Sequence, residues 1–254
     1  MAHAVDYQSI VLSPHLDDAA LSCGGLIAAA VAAGERVLVV TICSAAPDPA
    51  GPFNPLASQL HQDWRLAADE VVTARLREDA AALAVLGAET RYLGELDCIY
   101  RLPDAYDSST ALFGAPHPAD PLLPRLRAAF AALAAEFPAA RFYAPLAVGE
   151  HVDHQLTFSA AADLPNLSFY EDFPYAIRDG ALERRLARIA RPMTLQTLAI
   201  DVVVGQRIQA IDCYASQLAN LFGSNAAMPA AVHSYAAGVA PQGAAYGECY
   251  RTLS

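Results

Sequence analysis

Two kinds of apolar run alternate along the chain. Short continuous runs, Ser9–Pro14 (SIVLSP) and Arg36–Cys43 (RVLVVTIC), are rich in β-branched residues and predict strands buried on both faces. Between them Ala19–Ala33 reads as a helix closed by Gly34, and Trp64–Leu86 as a long amphipathic helix ending at Gly87. Glu89–Leu93 predicts a third strand, Pro121–Phe137 a helix and Arg141–Val148 (RFYAPLAV) a further strand. A helix is expected after His151, strands at Asn166–Tyr170 and Leu195–Val202, and a late helix at Gly205–Phe222. Ala45–Asn54, punctuated by prolines, reads as a loop. Strands alternating with helices imply an α/β fold with a mostly parallel sheet, because parallel neighbours need crossovers. Such a sheet gathers its site at the carboxyl ends of its strands.

Composition narrows the picture. A chain of 254 residues, 55% hydrophobic and 17% charged, suffices for one domain over residues 1–254 with a sizeable core. The net charge of -11 repels phosphate backbones, so nucleic acid is a poor partner. No apolar run approaches the roughly 20 residues that span a bilayer, and Met1–Ile10 lacks the features of a secretory signal. The five cysteines are scattered with no C-x-x-C pair, which predicts a reduced, cytoplasmic protein. Oligomeric state leaves no mark in the sequence.

Two polar clusters follow strand ends. The first is Pro14-His15-Leu16-Asp17-Asp18, trailed by Leu21 and Gly24-Gly25. Adjacent loop residues point apart, so one aspartate can grip a metal while its neighbour faces a water. Helix capping would account for one aspartate but not for two beside a histidine. Two glycines inside a helix imply that something approaches it closely, or that the helix starts later than Ala19. The second cluster is His151-Val152-Asp153-His154, whose histidines lie one helical turn apart. Alone it reads as two surface histidines. Together the clusters offer a His, Asp and His set that leaves a zinc position open for water, with an aspartate and a histidine to spare. Glu248 and Arg251 near the end read as solvated charges, with a supporting place around the site as the alternative.

P-H-L-D-D with A-x-L-x-x-G-G, then H-V-D-H-x-x-T, resembles the PIG-L/LmbE-like family of N-acetylglucosaminyl de-N-acetylases. Weaker matches are Arg75-Leu76-Arg77-Glu78 to an R-x-x-E helix and Leu93-Gly94-Glu95-Leu96-Asp97 to an L-G-x-x-D loop. The resemblance implies a single Rossmann-like, three-layer domain and a metal-dependent hydrolase that removes an N-acetyl or related acyl group from an amino-sugar conjugate. A larger amide, or a catalytically silent metal-binding relative, is the alternative. It implies His15, Asp18 and His154 as ligands of Zn2+, with Fe2+ or another divalent ion able to take the same donors. Asp17 would be the general base. His151 would donate to the oxyanion or the leaving amine, with Asp153 orienting it and favouring its charged form. Arg75 and Asp97 would hold sugar hydroxyls. One departure concerns Gly149, which stands where the mycothiol-pathway relative carries a tyrosine. The segments 45–63 and 101–118 match no pattern and are expected to shape the substrate pocket.

Overall fold

The computed structural model describes residues 6–64 and 68–253. The chain runs β1 (Ser9–Ser13), α1 (Asp18–Ala32), β2 (Val37–Cys43), α2 (Pro55–Trp64), α3 (Ala68–Leu86) and β3 (Glu89–Glu95). Short helices α4 (Cys98–Arg101) and α5 (Ser109–Leu112) lead to α6 (Leu122–Glu136), β4 (Arg141–Pro145), α7 (Val152–Ala161) and β5 (Leu167–Tyr170). Then come α8 (Ala181–Ile189), β6 (Met193–Ala199), α9 (Val204–Asp212), α10 (Leu218–Phe222), α11 (Met228–Gly238) and β7 (Gly247–Leu253).

The seven strands form one sheet in the order β3-β2-β1-β4-β5-β7-β6. The first five in that order are parallel, while β7 runs antiparallel to both β5 and β6. Alternate residues supply two apolar layers. Ile10, Leu12, Leu38, Val40 and Ile42 face α6 and α7, in a core that includes Phe130, Leu133 and Leu156. Val11, Val37 and Val39 pack with α1, α3 and α9 through Ile27, Leu83 and Ala210. Burial on both faces explains the continuous apolar runs of β1 and β2.

The chain leaves β1 toward β2 on one side, and β4 lies on the other. This reversal opens a crevice at the carboxyl ends of β1 and β4. Both polar clusters begin there.

Gly24 and Gly25 do mark a close approach. A Cβ on Gly24 would lie 2.8 Å from Cγ of Arg207, and one on Gly25 would lie 2.8 Å from Oε1 of Glu248 and from Ile200. Glu248 accepts from the backbone N–H groups of Gly25 and Leu26, each at 2.7 Å, and pairs with Arg207 at 3.2 Å. Glu248 is therefore a buried anchor for α1 and not a solvated charge, and Arg251 pairs with Glu171. Gly25→Ala is expected to cost about 1–3 kcal/mol by overpacking. Thermal unfolding measures this as a lowered Tm, and an unchanged Tm would contradict the packing described.

Several elements differ from the sequence-based expectation, among them α8 and α11, which carry no counterpart in it, and β6, which starts and ends earlier than expected. The 45–63 segment contains α2, begun by Asn54, whose Oδ1 accepts from the N–H of Ala57 at 2.7 Å. The late helix is broken into α9 and α10. The final strand β7, lacking a continuous apolar run, was not anticipated. Among the described residues no helix is long and apolar enough to cross a membrane.

Candidate metal centre and catalytic pocket

Residues after β1 turn into α1 through Asp17, which occupies the N-cap position without making a side-chain cap. Ser13 does that work instead, its hydroxyl accepting from the N–H of Ala19 at 3.0 Å. Capping thus explains neither aspartate. Asp18 bends back, and its Oδ2 accepts from the N–H of His15 at 2.8 Å. After β4 the loop passes through Ala147 (φ 64), Gly149 (φ 88) and Glu150 (φ 67) before His151 caps α7. Such a concentration of left-handed backbone stores strain at a site of action.

The turn brings three buried donors together. His15 Nδ1 lies 3.3 Å from Asp18 Oδ2, His154 Nε2 lies 3.3 Å from Asp18 Oδ2, and the two ring nitrogens are 3.3 Å apart. Ligands of a tetrahedral ion with bonds of about 2.0–2.1 Å lie about 3.3 Å from each other. The triangle therefore fits a zinc-sized ion. His15, His151 and His154 also come within reach of one another, as do His15, Cys43 and Asp153, and Cys98, His151 and Asp153. Burial and Asp153 push both thiols well above their usual range, so they stay protonated and are poor donors.

Each imidazole of the triangle has a carboxylate behind it. His154 Nδ1 lies 2.6 Å from Oδ1 of Asp172, whose Oδ2 accepts from the N–H of Val148 at 2.8 Å. His15 Nε2 lies 3.1 Å from Oδ2 of Asp153. Such partners fix the tautomer and aim the free nitrogen at the metal. Burial disfavours charge on His154, but Asp18 and Asp172 raise its pKa to about 9. Burial likewise opposes charge on His15, and Asp153 and Asp18 carry it well above the usual histidine range. A site that draws protons onto two buried imidazoles is one where a divalent cation can displace them.

Asp153 corrects one expectation. Its carboxylate faces His15, accepts from the N–H of Cys98 at 3.1 Å and pairs with Arg101 at 2.5 Å. Arg101 also binds Asp120 and the carbonyl of Leu96, and Tyr106 donates to Asp120. What reaches His151 is the backbone N–H of Asp153, at 3.2 Å from Nδ1. Nor is His151 held charged: burial and the neighbouring His15 keep its pKa well below the usual value, outweighing Asp153. With Nδ1 accepting, the neutral ring carries its proton on Nε2.

Asp17 is set apart from the triangle. Its Oδ2 lies 3.4 Å from Arg75, which lies over Trp64 with its guanidinium carbon 5.7 Å from the ring centroid. Burial pushes the Asp17 carboxyl up to about 7, against the pull of Arg75. Arg75 does not pair with Glu78, which binds Ser216. Its Nε is buried and has no partner. Asp97 caps α4 through Oδ1, accepting from Ile99, and turns Oδ2 toward His15 Nε2 at 3.6 Å.

A cavity of about 270 Å³ opens onto this cluster, and its floor includes His15, Asp17 and Asp18. Arg75, Asp97 and His151 line it, as do residues of the unassigned segments 45–63 and 101–118. His154 lies beneath that floor, almost fully buried. Sequence reasoning missed Arg101 and Asp120. Asp172 had a legible cue, since it follows β5 at the same sheet edge. Tyr175, on the cavity wall, is the neighbour of Gly149: a Cβ there would meet its ring at 2.7 Å.

The chain matches the family model described as GlcNAc-PI de-N-acetylase (PIG-L) over residues 10–164. It is 34% identical over 219 residues to the 2'-N-acetylparomamine deacetylase of Streptomyces fradiae, covering 83% of this chain and 73% of that protein. The zinc-inhibited form of teicoplanin deacetylase superposes with a TM-score of 0.80 at 30% identity, covering 96% of this chain and 98% of that chain. A deacetylase–teicoplanin complex gives 0.77 at 30% identity, with the same coverage.

Proposed function

The chain belongs to the PIG-L family of de-N-acetylases, and we propose that it is a zinc-dependent hydrolase that frees acetate from an N-acetylated amino-sugar conjugate. The observation that carries this reading is the 3.3 Å triangle of His15, Asp18 and His154, with the Asp17 carboxylate beside it and turned to Arg75. A divalent ion held by the three would acidify a water and polarise the acyl oxygen. Zinc is the default for two imidazoles and a carboxylate, and ferrous iron accepts the same donors.

The protein's own groups supply the proton traffic. Asp17, with a pKa of about 7, takes a proton from the water as its oxygen bonds to the acyl carbon. His151, neutral with its proton on Nε2, donates a hydrogen bond to the acyl oxygen as charge gathers there. The C–N bond then breaks. The nitrogen departs as an amine with the proton Asp17 had taken, and the acyl carbon leaves as acetate. Asp153 holds His15 in place, and Arg101 holds Asp153. Arg75 and Asp97 bind sugar hydroxyls, a role supported by the partnerless Nε of Arg75 and by the position of both on the cavity wall.

The test is the product. Zinc-supplemented protein incubated with an N-acetylglucosaminide should yield acetate and a primary amine in equal amounts. Absence of both across a panel of N-acetylated amino-sugar conjugates would overturn the reading. Asp172→Asn, which weakens the partner of His154, is expected to reduce metal affinity by about 10–100-fold while the chain stays folded. Chelator competition measures it, and an unchanged affinity would remove Asp172 from the centre.

A further inference from the structure

We propose that the cavity over the metal triangle contains an apolar subsite that seats an alkyl or aryl group carried by the substrate. The idea rests on the deacetylase reading for what lies at the cavity floor, and on the walls for its own chemistry. Leu56, Leu60 and Trp64 line the cavity and are spaced four residues apart, so they form one stripe along α2. All three are only half-buried. With Leu112 and Phe113, which also line the cavity, they belong to an apolar cluster separate from both sheet layers. Leu221 adds a wall from a further cluster, built on α9, α10 and α11.

The polar groups argue the same way. The carboxylates that line the cavity, Asp17, Asp18 and Asp97, all lie within the metal and base cluster. Elsewhere the lining offers Ser109, Gln217, Asn220 and the exposed Arg178, and no acid. In a chain of net charge -11 that is not a shortage of acids. A polyamine sugar would bring several ammonium groups to this lining and find an arginine. An apolar arm would find three side chains already turned toward it, and would displace poorly bound water from them.

Trp64 is the chain's single tryptophan, so its fluorescence reads this wall directly. Zinc-supplemented protein should be titrated with octyl, p-nitrophenyl and methyl N-acetyl-β-glucosaminides and with 2'-N-acetylparomamine. Three buried methylene groups are worth about 50-fold in affinity. The octyl glycoside should therefore alter Trp64 emission with a Kd about 50-fold or more below that of the methyl glycoside. Its kcat/KM should rise in step, through KM. A larger advantage for the p-nitrophenyl glycoside would assign the cleft to aromatic groups, and for the octyl glycoside to aliphatic chains. Leu60→Ser and, independently, Leu56→Ser should narrow the octyl-to-methyl ratio. Equal Kd values for octyl and methyl glycosides, or tighter binding of the paromamine derivative, would overturn the subsite. Tight octyl binding with no acetate released from any compound would keep the cleft and overturn the deacetylase reading. Acetate release with equal Kd values would do the reverse.

Discussion

Asp17→Asn is expected to retain its metal and to lose about 10²–10⁴ in kcat, the usual magnitude for removing a general base. Asp17 stands outside the donor triangle, with its carboxylate turned to Arg75 and not to the two imidazoles. Asparagine keeps the shape and can still accept from Arg75, but it cannot take a proton from water. The buried carboxyl, with its pKa raised to about 7, must ionise before it can act. The limb of the wild-type rate profile that rises with pH through this ionisation should be missing in the variant. Metal analysis beside a pH–rate series measures both effects. Loss of the ion in Asp17→Asn would exchange the roles of Asp17 and Asp18.

His154→Ala is expected to empty the centre. It removes one of three protein donors, so its effect on metal affinity should exceed the roughly 10–100-fold typical of an outer partner such as Asp172. Activity should fall with occupancy. The imidazole lies almost wholly buried between Asp18 and Asp172, and without it each carboxylate loses one of its partners. Because an ion that binds only the folded chain stabilises it, added zinc should raise the Tm of the wild type and leave that of His154→Ala unmoved. A variant that bound zinc with undiminished affinity would exclude His154 from the ligand set.

The two clusters proposed to hold the chemistry were legible because the sheet is. β1, β2 and β4 announce themselves as continuous apolar runs, and the two His/Asp clusters stand at their carboxyl ends. Gly24 and Gly25 were legible as a place of close approach, but their partners, Arg207 and Glu248, lie about 180 and 220 residues away along the chain and carry no local cue. The reading of Asp153 failed for a related reason. The resemblance implies that Asp153 orients His151, yet in the first turn of α7 its backbone meets His151 while its carboxylate points to His15. The helix α2 was hidden by the loop before it, although Asn54 followed by Pro55 is a recognisable start. Two of the segments that wall the pocket were legible, but not which side chains do so, because the walls arise from two small apolar clusters whose members come from distant segments.

The most direct measurement is a metal titration of the chelated protein, following acetate released from an N-acetylglucosaminide it hydrolyses. Activity should be absent before the ion is added. It should rise linearly with zinc and reach its plateau at about one equivalent per chain, the capacity of a single three-ligand centre. Full acetate release by the chelated protein, or a plateau reached with His15, Asp18 and His154 all replaced, would contradict the proposed chemistry at this triangle.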